Sequence, residues 1–325
     1  METNMLEIRN LRVTFPAEKG EVVAAADVSL DVPRGKIAGI VGESGCGKSV
    51  TARSVIGLIR RPGRITGGEI LLEGRDILHL TEKEKSRLRG AEISMIFQEP
   101  MTSLNPVIRV GKQVEETVRL HEHLSGKAIR DRVVEMLADV GIADPEDRYN
   151  AYPHQLSGGL RQRVMIAMAM ICRPKLLIAD EPTTALDVTV EAQILQLMRR
   201  LCEGGTSVLL ISHNLGVIAQ VCDRVSVMYA GRIVESADTA ELFDRPLHPY
   251  TRGLLRAVSS LRENEERLET IPGTVPDLLH LPEGCSFGPR CDCCGEACRQ
   301  RMPEMKEMLP GHTVRCFRAG EEAGP

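Results

Sequence analysis

Gly42-Glu43-Ser44-Gly45-Cys46-Gly47-Lys48-Ser49 fits the phosphate-loop pattern G-x-x-x-x-G-K-[ST] at every fixed position. Just upstream, the apolar run Ile37-Ala38-Gly39-Ile40-Val41 predicts a buried strand, and downstream residues 49–59 predict a helix. Strand, loop and helix in that order are the context that separates a phosphate site from an ordinary glycine-rich turn. Glycines let the backbone curl until successive N–H groups face one anion, and the helix N-terminus adds partial positive charge. In such a loop Lys48 reaches the β- and γ-phosphates and the Ser49 hydroxyl holds Mg²⁺.

Three further stretches offer what a nucleotide's phosphates need. Leu176-Leu177-Ile178-Ala179 predicts a buried strand that delivers Asp180 and Glu181 at its carboxyl end. There Asp180 can hold Mg²⁺ through water while Glu181 polarises an attacking water. Ser157-Gly158-Gly159 starts a helical run that continues over residues 164–172, giving a second anion nest of free N–H groups and a hydroxyl. Residues 207–211, apolar after Ser207, predict another buried strand, ending on Ser212-His213. His213 reads either as a satisfied structural histidine or as a catalytic one.

The rest of the chain frames these segments. Residues 5–15 and 22–32 alternate apolar and polar, predicting two antiparallel strands around a turn at Glu18-Lys19-Gly20. Phe15 is either a ring for stacking on adenine or a buried strand phenylalanine. Gly67-Gly68 precedes a short strand at 69–72, and residues 81–89 form a charged helix. A strand at 93–97 ends on Gln98-Glu99-Pro100 and the polar loop Met101-Thr102-Ser103-Leu104-Asn105-Pro106. Helical periodicity then runs over 107–140, with His121 and His123 read as a solvated helix end in preference to a metal site. Residues 141–153 form a loop, 188–203 a helix, and 224–229 with 232–235 a closing hairpin. Buried parallel strands alternating with helices, plus antiparallel strands early and late, predict an α/β ATPase core with an antiparallel subdomain and a helical insert at about 99–165.

Composition narrows the partners. A length of 325 residues suggests about two domains, or one large domain with an appendage. With 3% aromatic residues and no Trp, the core must be built from Leu, Ile, Val, Ala and Met. A formal charge of −4 gives no electrostatic case for nucleic acid as a partner. No apolar run is long enough to span a bilayer and Met1-Glu2-Thr3-Asn4 opens no signal peptide, so the chain reads as cytosolic, which leaves docking on a membrane protein from the inside open.

The phosphate loop, Gln98, Leu156-Ser157-Gly158-Gly159, Asp180-Glu181, Asp187 and His213 occur in the order and rough spacing of the ATP-binding cassette (ABC) family, which the chain resembles over about residues 5–245. The resemblance implies a P-loop ATPase fold with an antiparallel β-subdomain and a helical subdomain, binding ATP and Mg²⁺. It implies a head-to-tail pair of such domains, with ATP on one phosphate loop capped by the other's Ser157-Gly158-Gly159. Glu181 becomes the general base, His213 a γ-phosphate contact, Gln98 the switch that senses it and a Mg²⁺ ligand beside Ser49 and Asp180. Val50 and Phe15 join the nucleotide contacts, and Asp187 lies at the dimer seam.

Within that family, residues 97–106, Tyr152-Pro153-His154-Gln155 and His248-Pro249-Tyr250-Thr251 are similar to the ATP-binding subunits of oligopeptide and dipeptide importers, as is the tail from Ile271-Pro272-Gly273 through Gly284-Cys285. Nickel and glutathione importers belong to the same wider group. The resemblance implies a second ATPase subunit, favoured as a paralogue, two membrane-spanning permease subunits and an extracytoplasmic substrate-binding protein. The place of work is then the cytoplasmic face of the membrane. The rival reading is a soluble cassette ATPase acting on nucleic acid or ribosomes.

The division expected is a nucleotide-binding domain at 1–245 and a tail at 246–325, with a charged linker at 263–269. Cys46, Cys172, Cys202 and Cys222 are scattered, whereas Cys285, Cys291, Cys293, Cys294, Cys298 and Cys316 crowd the tail. In a reducing compartment such a cluster suggests metal before disulfides. Similar tails carry a [4Fe–4S] cluster, which the resemblance assigns to Cys285, Cys291, Cys298 and Cys316. Cys293 and Cys294 are extra to that set, zinc would also accept four thiolates, and unmetallated buried thiols are the remaining reading.

Overall fold

Every residue of Ile37–Val41 is buried, as its apolar run requires of a central strand. The computed structural model describes residues 3–18, 20–98, 103–183, 186–262 and 271–319, with the side chains of 258–262 left out. Its early strands are β1 (Asn4–Ala17), β2 (Gly20–Pro33), β3 (Ile37–Val41), β4 (Arg64–Leu72) and β5 (Arg75–Asp76). Then follow β6 (Ile93–Ile96), β7 (Leu176–Asp180), β8 (Ser207–Ser212), β9 (Arg224–Tyr229), β10 (Arg232–Asp238), β11 (Lys306–Leu309) and β12 (His312–Val314). The chain forms two compact units, one built on Val32–Ile37 and His79–Leu210, the other on Leu6–Asp31, Ala38–Leu78 and the chain from Ile211 onward.

In the unit that carries the phosphate loop, an antiparallel sheet runs β2-β1-β4-β5. β4 starts before the predicted strand and passes through its glycines. Gly68 has φ +96 and sits beside the Arg9 and Asn10 carbonyls, where β1 and β4 slip register around Arg12. The glycine therefore marks a bulge, and the strand continues through it. β3 pairs in parallel with β9, Val41 opposite Val227, and β9 pairs antiparallel with β10. The helix after the loop spans Lys48–Val55, shorter than expected. Gly57, at φ +67, turns the chain out, with Gly57 N–H on Ser54 O and Leu58 N–H on Arg53 O.

The tail is more regular than its sequence pattern suggests. It supplies the helix Pro249–Arg262, a short helix Glu296–Gln300 and the β11–β12 hairpin, with β12 adding to β10 at Glu235↔Val314 and Ser236↔Thr313. What anchors it is polar. The Glu235 carboxylate accepts from Leu247 N–H (2.6 Å), His248 N–H (3.0 Å) and His312 Nε2 (2.8 Å). A search for apolar periodicity cannot see such an anchor.

In the other unit β6 and β7 run parallel, Ile93 opposite Leu176 and Ile96 opposite Ala179, with β8 next to β7. The long helical stretch is two helices, Val110–His121 and Gly126–Asp139, because Ser125 caps the second by accepting from Ala128 N–H. The loop expected after it contains the helix Pro145–Tyr149. Tyr149, buried, donates its hydroxyl to Glu115, itself buried and paired with Lys112 and Arg119. His121 lies against Gly90, and the Glu82–Leu88 helix begins with a Thr81/Glu84 capping box.

Candidate functional site

Each glycine of the phosphate loop has its own reason. Gly45 and Gly47 hold φ +78 and +105, a region side chains disfavour. A Cβ on Gly42 would run into the Met228 carbonyl, and one on Gly47 into the Ala24 carbonyl. The loop is thus wedged between neighbouring backbones, with Ser44 and Gly45 exposed at its tip and Cys46 buried. Lys48, the first residue of the helix, is only 5% exposed, and its Nζ donates to Gly42 O (2.7 Å) and Glu43 O (2.9 Å). The curled backbone therefore gathers an ammonium into the loop, beside N–H groups at a helix start. That concentration of donors and positive charge suits a polyphosphate. Burial pushes the Cys46 thiol up, which disfavours the thiolate.

Glu43 is held at three points, a feature the sequence did not announce. Its N–H donates to Tyr250 Oη (3.0 Å), its carbonyl accepts from Lys48, and its carboxylate pairs with Arg290 through both guanidinium arms (2.7 and 3.2 Å). Arg290 also donates to Pro272 O and Ile271 O. Phe15, the adenine-stacking candidate, is half-buried with its ring over Gly63. His213, at the end of β8, is exposed.

Gln98, Asp180, Glu181, Ser157, Gly158, Gly159 and Asp187 belong to the other unit, and there two parallel strands align the first of them. Because Ile96 lies opposite Ala179, the chain reaches Gln98 and Glu181 side by side just past the strand ends. Gln98 Nε2 donates to Glu181 Oε2 at 3.2 Å. Asp180 is fully buried as the last residue of β7, while Glu181 takes φ +49, a strained value for a non-glycine residue. The buried Gln162 donates to Pro182 O (2.7 Å), fixing the backbone just beyond Glu181.

Ser157 caps the Gly158–Met170 helix by accepting from Leu160 N–H. A Cβ on Gly158 would meet nothing, and one on Gly159 would make only ordinary contact with Leu186. Neither glycine is demanded by this chain's own packing, although glycine in a helix costs about 1 kcal/mol relative to Ala. Asp187 caps the Val188–Glu203 helix by accepting from Val190 N–H (2.9 Å). Thr184-Ala185 before it, and Glu99-Pro100-Met101-Thr102 after Gln98, lie outside the described residues.

In the tail, Cys285, Cys291, Cys293, Cys298 and Cys316 line one pocket. The extra Cys293 shares it, and Cys294 lies beside it, near Gly288. Burial pushes the Cys285 thiol up, Cys291 up to about 12 and Cys316 up to about 11. Among the described residues no group of three or more His, Cys, Asp or Glu is arranged to hold a metal ion. The expected [4Fe–4S] centre thus has its sulfurs in one place but not in ligand geometry. An all-sulfur donor set fits a soft metal by its chemistry.

Comparison with known proteins agrees with the loop and strand geometry. The family described as ABC transporter matches residues 25–184, and the oligopeptide/dipeptide transporter C-terminal region matches 234–298. The oligopeptide transport ATP-binding protein OppD of Escherichia coli is 50% identical over 98% of this chain and 94% of its own length. The oligopeptide transport ATP-binding protein AppD of Bacillus subtilis is 47% identical over 98% of both. Among solved structures, an ATP-binding cassette captured as a dimer in a post-hydrolysis state with ADP and Pi superposes with a TM-score of 0.67, at 28% identity over 72% of this chain and 99% of that one.

Proposed function

Since the chain belongs to the ABC transporter family, as an ATP-binding subunit with ATPase activity, we propose that it drives uptake of di- and oligopeptides through membrane partner subunits. The observation that carries this reading is the loop of residues 42–49, with Lys48 gathered into it. Lys48 and the loop N–H groups bind the phosphates, with Ser44, Cys46 and Val50 among the contacts; Ser49, Gln98 and Asp180 serve Mg²⁺. Glu181 acts as general base and His213 contacts the γ-phosphate. The spare room over Gly158 and Gly159 supports close approach of a second protomer's nucleotide, with Asp187 at that seam. Closure follows from contacts that the γ-phosphate makes only in the closed pair.

Partners follow from the same reading. Among the described residues no helix is long and apolar enough to cross a membrane, so transport requires membrane subunits. Val107 (77% exposed) and Leu120 (71%) leave apolar surface on the helical insert for a permease to cover. A paralogous second ATPase, two permeases and a substrate-binding protein complete the assembly at the cytoplasmic face of the membrane. The functional division is 1–245 for the motor and 246–325 for the tail. Relatives named for peptide transport and the net charge of −4 disfavour the nucleic-acid alternative, and those names place peptides ahead of nickel or glutathione. The test is reconstitution with the co-purifying permeases: oligopeptides with their binding protein should stimulate ATP hydrolysis and accumulate inside vesicles. Stimulation by nickel or glutathione alone would refute the peptide assignment.

A second reading concerns the tail pocket, where five cysteines converge. Cys285, Cys291, Cys298 and Cys316 would hold a [4Fe–4S] cluster that ties together a segment with little apolar core. Iron and acid-labile sulfide should be found in anaerobically purified protein, with a brown colour. Colourless, iron-free protein rules it out, and stoichiometric zinc would replace it.

A further inference from the structure

We propose that Arg290 and Tyr250, both beyond the expected motor boundary, are positioning residues for nucleotide binding that act through Glu43 of the phosphate loop. The inference rests on the reading of residues 42–49 as the phosphate site.

Three observations carry it. First, Glu43 occupies a variable position of the loop and places a carboxylate next to a site meant for phosphate. An unpaired carboxylate there would repel the ligand. Arg290 removes that charge: its guanidinium, with the side chain 4% exposed, meets both Glu43 oxygens in a bidentate pair.

Second, Arg290 is aimed by its other donors. Nε–H goes to Pro272 O (2.9 Å), Nη2 also to Ile271 O (3.2 Å), and Nη1 reaches Tyr229 Oη (3.4 Å). Such a fixed fork loses little freedom in holding Glu43.

Third, Glu43 is tied to the phosphate-binding lysine. Its carbonyl accepts from Lys48 Nζ while its N–H is held by Tyr250 Oη. Tyr250 is fully buried and packs against Tyr229 and Phe287, with ring centroids 4.7 and 5.4 Å away. A shift of Glu43 therefore moves the carbonyl that positions the Lys48 ammonium. Phe287 also lines the cysteine pocket, so the tail and the loop share one packed cluster.

The chemistry predicts a charge-specific rescue. Removing the guanidinium strands a carboxylate beside the phosphates; neutralising that carboxylate as well should cancel most of the damage. A role confined to folding the tail predicts no such cancellation.

The test is calorimetric titration of the purified full-length chain with MgATP, alongside KM and kcat of the assembled transporter. Arg290→Gln should weaken MgATP binding about tenfold, seen as a raised KM with kcat nearly kept. Adding Glu43→Gln should restore affinity to within about threefold. Tyr250→Phe, a mild change that keeps the ring packing, should raise KM several-fold, which leaves the proposal testable if Arg290→Gln does not fold. Normal binding by both Arg290→Gln and Tyr250→Phe, or a loss in Arg290→Gln that Glu43→Gln does not relieve, overturns the proposal. Lys48→Ala separates the two levels: unimpaired MgATP binding by that variant overturns the phosphate-site reading itself, whereas lost binding there with normal binding by both Arg290→Gln and Tyr250→Phe overturns only this inference.

Discussion

Gln98 Nε2 donates to Glu181 Oε2 across 3.2 Å, joining the ends of two neighbouring parallel strands. The register of β6 on β7 sets that pairing, so any change in what the Gln98 amide binds is felt directly at the Glu181 carboxylate. If Gln98 senses the γ-phosphate and Glu181 activates water, as proposed above, this contact links the two roles mechanically.

If Glu181 is the general base, Glu181→Gln should lower ATP turnover by about 10²–10⁴-fold. The isosteric amide can still hydrogen-bond Gln98, so MgATP affinity should stay close to that of the unmodified protein. Single-turnover hydrolysis and nucleotide binding, measured on the same preparation, check both halves. Unchanged turnover would remove Glu181 from that role.

Gly47→Ala should abolish or severely weaken nucleotide binding. The added Cβ meets the Ala24 carbonyl, and the residue must also hold φ +105. Neither obstacle can be relieved by a flexible side chain moving aside. A cost of at least 1–3 kcal/mol, about the range seen for overpacking and left-handed strain, is expected in thermal unfolding, alongside the loss of MgATP binding. Gly45→Ala meets no neighbouring atom and carries the conformational cost alone, so it should be the milder of the two.

The order of these effects reflects what the sequence could reveal. Phosphate-loop chemistry is local: fixed glycines, a lysine and a following helix are visible in eight letters, and the strands bearing Gln98 and Asp180-Glu181 are short apolar runs. The bulge at Gly68 was hidden because its cause is the facing carbonyls of β1, not its own neighbours. The tail was hidden for a different reason. Its docking depends on polar pairings between distant residues, Glu235 with His312 and Glu43 with Arg290, that leave no periodic trace. Cysteine spacing announced a shared pocket, but among the described residues its sulfurs are not arranged to hold the metal centre expected there.

His312→Ala should destabilise the unit that contains the tail by about 3–5 kcal/mol, the range for breaking a buried ionic or hydrogen-bonded pair. Both side chains are fully buried, and the substitution leaves the Glu235 carboxylate with only the Leu247 and His248 N–H groups. The β12 strand loses its polar anchor to β10 at the same time. Urea unfolding followed by circular dichroism should show a lower midpoint, and limited proteolysis should cut first beyond residue 300. A midpoint equal to that of the unmodified chain would show that the anchor contributes nothing.

Acid should weaken the fold through His248. Burial holds this imidazole down to about 4, against an ordinary 6.5, with Glu235 partly opposing the shift and Arg252 adding to it. Its Nδ1 accepts the Tyr250 N–H at 3.0 Å, which requires the neutral ring. Between pH 6.5 and 4 the unfolded chain therefore binds a proton that the folded chain refuses. Stability is complete above pH 6.5 and falls as pH drops toward 4, by about 3 kcal/mol over the full window. Denaturant titrations at pH 7 and pH 5 should show the decline, and His248→Asn, which can still accept the Tyr250 N–H, should flatten it by up to one proton's slope. Since other groups titrate in the same range, the difference between the two proteins carries the test; identical pH slopes would mean that His248 takes up its proton as readily in the folded chain as in the unfolded one.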